Sequence, residues 1–161
     1  MIKAGVLSDT HLCQLDESYL RNCARAFSDC EIIFHAGDLT NLSVLEPFAN
    51  KRVYAVSGNM CNAETRKALP EKRLVKLEGI TIGLTHGAGS HTNIEDRVFE
   101  AFPNADCIIY GHTHLPVCHN YGPVLLINPG SFQPVSRWGG PGTYAILTID
   151  NNSVRGKIHQ L

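Results

Sequence analysis

Apolar residues fall along this chain in two rhythms. Short unbroken runs rich in Ile, Val and Leu read as strands buried on both faces. They predict strands over 2–7, 32–34, 52–56, 73–77, 80–84, 107–110, 124–127, 143–149 and 153–158. Elsewhere the apolar positions recur every three or four residues, the period of a helix with one face on a core. Tyr19, Leu20, Cys23, Ala24 and Phe27 share such a face over 17–28, with Arg21 and Arg25 off it. Further helices are predicted over 41–48, over 63–69 and over 93–102, the last capped by Asn93 or Thr92. Glu78-Gly79 and Asn151-Asn152 mark hairpins. Helices interrupt the strands early and strands dominate late. That order predicts one layered α/β domain over 1–161 that contains two sheets.

The polar residues that break the pattern fall at strand ends. Asp9-x-His11 follows the first strand, and His35 with Gly37-Asp38 follows the second. Gly58-Asn59 follows the third, His86-Gly87 ends 80–84, and Gly111-His112-x-His114 ends 107–110. On extended backbone, residues i and i+2 project to one side, so each x-spaced pair is expected to emerge together. Gly111 is expected to let its strand turn sharply. Open α/β sheets place ligands at such carboxyl ends. Imidazole beside carboxylate suits Mn, Fe, Ni or Zn. Each signal also has a plain reading. Asp9 serves a turn, Asp38 caps the helix over 41–48, Asn59 sits in a turn, and His112 with His114 lies on a surface loop. His35 is expected to support the others rather than bind a ligand.

Composition narrows the field. A length of 161 residues and a formal net charge of −1 fit one domain with no broad pull toward nucleic acid or membrane. No leader pattern precedes the first strand, and no apolar run approaches the ~20 residues of a spanning helix. A cytoplasmic location is therefore expected. The six cysteines include no Cys-x-x-Cys, so zinc-ribbon and thioredoxin chemistry find no support. Cys107 reads as a small core residue. Gly87-Ala88-Gly89 lacks the third glycine of a dinucleotide loop, Thr92 standing in its place. The loop over 132–142 holds Arg137 and Trp138. Arg137 offers a planar fork for a substrate phosphate, or merely faces solvent.

The five strand-end signals, taken in order, resemble the calcineurin-like metallophosphoesterase superfamily. The short chain and Asn128-Pro129-Gly130-Ser131 resemble its small bacterial and archaeal phosphodiesterase branch. The resemblance implies a four-layer α/β/β/α sandwich of two packed mixed sheets flanked by helices. It implies two divalent metals, manganese ahead of nickel, iron or zinc. Asp9, His11 and His114 would bind one metal, Asn59, His86 and His112 the other, and Asp38 would bridge them. Asp38, Asn59 and His112 would be the catalytic members. The implied reaction is hydrolysis of a small phosphodiester by a hydroxide shared between the metals. No stable nucleic-acid or membrane partner is implied, and a homo-oligomer is open. Alternatives are a phosphomonoesterase, or a non-catalytic assembly subunit of the same fold. Met60 departs from the pattern, since many relatives place a proton-donating histidine there. Without that acid, aryl or nucleotide diesters with good leaving groups are expected to be favoured unless His91 compensates. Cys61 also departs from it, and reads as a turn residue or an oxidisable thiol.

Overall fold

The structure, a computed structural model, describes residues 1–134 and 140–161. Arg137 and Trp138 lie outside the described residues. The chain runs β1 (Ile2–Leu7), α1 (Glu17–Phe27), β2 (Ile32–His35), a 3-10 helix (Leu42–Phe48), β3 (Arg52–Ala55), α2 (Ala63–Ala68), β4 (Lys72–Leu77) and β5 (Ile80–Thr85). It continues through α3 (Ile94–Ala101), β6 (Cys107–Ile109), β7 (Pro116–Tyr121), β8 (Val124–Pro129), β9 (Thr143–Asp150) and β10 (Ser153–Gln160). Two five-stranded mixed sheets result, ordered β10-β9-β1-β2-β3 and β4-β5-β6-β8-β7. In the first, β1, β2 and β3 run parallel. In the second, β5, β6 and β8 run parallel. The outer strands join antiparallel.

Strand alternation explains the layering. Ala4, Val6, Ile32 and Phe34 project from the first sheet into the same cluster as Ile82, Leu84, Cys107 and Ile109 from the second. That cluster is the seam between the sheets. Leu7 and Ile33 point the other way, onto Tyr19, Cys23 and Phe27 of α1 and onto Val44 and Phe48. Ile108 and Leu126 point outward from the second sheet onto Ile94, Val98 and Phe102. The central strands are thus covered on both faces, which is why they read as continuous apolar runs. The product is a four-layer α/β/β/α sandwich. Among the described residues, no helix is long and apolar enough to cross a membrane.

Local chemistry moved some expected boundaries. The segment expected as a helix over 41–48 tightens to 3-10, with Pro47 inside it removing a backbone donor. Its cap is Asn41, whose side chain accepts from the Ser43 amide; Asp38 does not cap it. Asn93 precedes α3 at φ 56° with no side-chain cap bond, contrary to the expected capping. β7 was not expected at all. It begins with Pro116, lies at the sheet edge and carries mostly exposed or half-buried residues, so no apolar run announces it.

Candidate metal centre

Every strand-end signal in the sequence follows a parallel strand, and the loops meet. Asp9 and His11 follow β1, Asp38 follows β2, Asn59 follows β3, His86 follows β5, and His112 and His114 follow β6. Two groups form. In the first, Asp9 Oδ1 lies 3.2 Å from His114 Nε2 and 3.7 Å from His11 Nε2, and the two imidazole nitrogens are 3.3 Å apart. In the second, Asp38, His86 and His112 bring a ligand atom each within 4.8 Å of one another, and Asp38 Oδ2 lies 3.1 Å from His86 Nε2. The groups adjoin where His86 Nε2 comes within 4.0 Å of Asp9 Oδ1. Asn59 is exposed and lines a cleft beside His86.

The backbone that delivers these side chains is not extended. Asp9, His11, Asp38, His112 and His114 have φ of 54°, 48°, 52°, 71° and 59°. Non-glycine residues there cost about 1–3 kcal/mol each and gather at functional sites. Asp9 and His11 do converge on one group, but strand projection of i and i+2 is not what aims them, and for His112 and His114 it fails. Left-handed residues re-aim each side chain, and His112 and His114 part company, one to each group. Gly111 is not a left-handed turn residue either. It is glycine because a Cβ would sit 2.0 Å from Ser8 Oγ and 2.8 Å from Asp9 Oδ2. Close approach, not turning, explains it.

Hydrogen bonds fix the tautomers. His86 Nδ1 donates to the Ala36 carbonyl at 2.8 Å, which leaves Nε2 facing the two carboxylates. His112 Nε2 donates to the Gly89 carbonyl at 2.8 Å, which leaves Nδ1 as its lone-pair atom. His35 behaves as a support. It is fully buried, its Nδ1 accepts the Gly37 amide, and its Nε2 donates to Thr10 Oγ1. Burial is the main cause that lowers its pKa to about 3, so it stays neutral.

Charge is concentrated in the same place. Burial alone would raise the Asp9 carboxyl, but His11, His114, His86 and Ser8 outweigh it and hold the group well below the usual carboxylate range. Burial likewise opposes Asp38, yet His86 and the Met60 amide bring it below its ordinary value. His86 is raised despite burial, chiefly by Asp38, and His114 is raised by Asp9. His112 is lowered, first by desolvation. Asp9 Oδ1 and His86 Nε2 are buried and lack any partner with hydrogen-bond geometry. Leaving buried polar atoms unmatched costs about 1–3 kcal/mol each. Two unpartnered lone-pair donors, flanked by further imidazoles and a second carboxylate, fit divalent cations of the N/O-binding type.

Several supports have partners that no sequence pattern gives. Ser8 Oγ donates to Asp9 Oδ2 at 2.6 Å, and the Ser131 hydroxyl lies 2.8 Å from the Asp9 carbonyl. Asn128 donates to the Gly111 carbonyl and to Thr113 Oγ1, holding the His112–His114 turn from β8. Arg97 reaches from α3 to the carbonyls of Gly87, Ala88 and Ser90. That loop supplies the Gly89 carbonyl to His112. Arg66 does the same for Asn59 and Cys61. Cys61 is buried, and its sulfur accepts the Gly58 amide across a turn, a structural role. Met60 gives only its backbone amide to Asp38 Oδ1, while its side chain is 58% exposed. His91 packs edge-on against His112, ring centroids 4.6 Å apart.

Comparison with known proteins places this geometry. Residues 2–152 match the model of the calcineurin-like phosphoesterase superfamily domain. A probable metallophosphoesterase of Methanothermobacter thermautotrophicus is 35% identical over 161 residues, covering 96% of this chain and 90% of its own. A solved structure described as a novel archaeal phosphodiesterase superposes with a TM-score of 0.76 at 26% identity, over 98% of this chain and 100% of that one. Vps29 of Chaetomium thermophilum superposes with a TM-score of 0.78 at 15% identity, over 99% and 87%, a likeness of fold alone.

Proposed function

The chain belongs to the calcineurin-like phosphoesterase superfamily, and on that premise we propose that it is a binuclear metal-dependent phosphodiesterase. Asp9, His11 and His114 would hold one divalent ion. His86, His112 and Asn59 would hold the other, and Asp38 would serve both. The observation that carries this is the pair Asp9 Oδ1 and His86 Nε2, both buried, 4.0 Å apart where the two groups adjoin, and each close to ligand-type atoms without a hydrogen bond of good geometry. Bound divalent ions lower the pKa of water and neutralise charge on phosphoryl oxygens.

The protein's own part is to hold the donors ready. The carbonyls of Ala36 and Gly89 fix the ring faces of His86 and His112, so their lone pairs need no reorganisation. His86 and His114 sit above the ordinary imidazole pKa beside their carboxylates, so ion uptake displaces protons and tightens as pH rises through that range. Diesters with good leaving groups, such as aryl esters, are favoured over those that expel an alkoxide, because Met60 has no proton to give a poor leaving group.

Purified protein with added Mn²⁺ is expected to hydrolyse bis-p-nitrophenyl phosphate, and a chelator is expected to abolish the reaction. Silence with Mn²⁺, Ni²⁺, Fe²⁺ and Zn²⁺ across several esters would leave a non-catalytic subunit of the same fold as the better reading. Arg97→Met should act on one ion only. Freed from Arg97, the loop that carries the Gly89 carbonyl no longer fixes His112. Calorimetric titration is expected to show a loss of about 10–100-fold in affinity for one ion, the other unchanged. An equal loss at both would mean that Arg97 serves general stability instead.

A further inference from the structure

Two clefts border the candidate centre, and their linings are opposite in character. His112 stands in ring contact with His86 on one side, centroids 5.1 Å apart, and with His91 on the other. At the His86 end lies a cleft of about 460 Å³, bordered also by Asn59, Arg66, Glu71, Lys72 and Arg97. Three cations there face one carboxylate. Arg97 is committed to the loop carbonyls, and Arg66 spends Nε and one Nη on the Cys61 and Asn59 carbonyls. Lys72 is exposed, and among the described residues its side chain makes no hydrogen bond or ion pair. Lys72 and the remaining donors of Arg66 are thus left for a ligand, in a cleft that opens beside Asn59.

The His91 end is different. There a cleft of about 430 Å³ is bordered by Tyr110, Leu115, Tyr121, Glu95 and Asp96. Glu95 accepts from Tyr110 and pairs with His119 at 3.1 Å, and Asp96 accepts from Tyr121. Carboxylates line it and no arginine or lysine does, so an anionic group is repelled. Leu115 is 66% exposed, which leaves apolar surface for a flat group in the cleft it shares with Tyr121.

We propose that the substrate is an unsymmetrical phosphodiester: one ester arm carries a second anionic group, met by Lys72 and Arg66, and the other is a flat apolar group lying against Leu115 and Tyr121. This rests on the phosphodiesterase reading and names the substrate class it takes. A planar guanidinium and a mobile ammonium together suit a phosphate or carboxylate carried on that ester arm. The carboxylates at the other end set the orientation by excluding the charged arm.

The test compares the p-nitrophenyl ester of thymidine 5′-phosphate with the same ester bearing a 3′-phosphate, using Mn²⁺-loaded protein at constant ionic strength. The 3′-phosphate is expected to raise kcat/KM about tenfold or more, mainly through KM. Lys72→Gln should shrink that ratio, and Lys72→Glu should abolish it. Leu115→Glu should raise KM for both esters several-fold and leave the ratio in place. Calorimetric binding of thymidine 3′,5′-bisphosphate against thymidine 5′-phosphate gives the same comparison without turnover. Equal kcat/KM for the two esters, or a preference that survives Lys72→Glu, would overturn the proposal. If neither ester releases p-nitrophenol, the phosphodiesterase reading has failed, and the bisphosphate binding gap still decides whether Lys72 forms an anion subsite.

Discussion

Asp38→Asn is expected to leave at most one ion per chain and to lower diester hydrolysis by at least about 10³-fold. The substitution keeps the volume and removes the charge. Asp38 uses Oδ1 to accept the Met60 amide, and Oδ2 faces His86 Nε2 at 3.1 Å. An asparagine would keep its carbonyl on Met60, which turns its NH₂ toward His86 and toward any cation there. A donor would then stand where an acceptor is needed. Asp38 is also one of two buried carboxylates among four clustered histidines, so its charge offsets ion repulsion for the whole centre. Elemental analysis and initial rates check both effects. Two ions with undiminished turnover would remove Asp38 from the centre.

Gly58→Ala is expected to destabilise the fold by about 3 kcal/mol and to lower Tm by roughly 6–12 °C for a chain of this size. A Cβ at Gly58 would lie 2.1 Å from Asp38 Oδ1 and 2.5 Å from the Asp38 backbone nitrogen. Rotating the Asp38 side chain relieves only the first clash. The second moves the loop between β2 and the 3-10 helix, and with it the carboxylate, so ion content should fall as well. Gly122→Ala is the control. Gly122 has φ 60°, and a Cβ there meets nothing within 4 Å, so only conformational strain of about 1 kcal/mol remains. Calorimetry that ranks Gly122→Ala as the worse of the two would contradict the close-approach explanation.

What the sequence reveals of this molecule depends on the physical origin of each signal. Strands such as Ile32–His35 and Cys107–Ile109 were plain because burial on both faces leaves only apolar residues. β7 stayed hidden because an edge strand needs no such run. The residues of the two groups were named from a motif order, and the chain brings Asp9, His11, Asp38, His86, His112 and His114 together in space. Their aim is not legible, because left-handed backbone at Asp9, His11, His112 and His114 leaves no mark in sequence. Asn128 and Ser131 stand out in the sequence only as a motif of the resemblance, and Arg66 and Arg97 not at all, because a single hydroxyl, amide or guanidinium on a backbone carbonyl has no pattern that gives its partner. Gly111 and Gly58 were noticed, but their reason is a neighbouring loop far away in sequence, which a local reading of turns does not reach.

The direct test is diffraction from Mn²⁺-soaked crystals measured on both sides of the manganese absorption edge. Two anomalous peaks per chain are predicted, one among Asp9, His11 and His114 and one among Asp38, His86 and His112, with Asn59 turned inward. Full-strength data showing no peak in either group, the imidazoles unmoved and Asp9 Oδ1 still without a partner, would contradict the account.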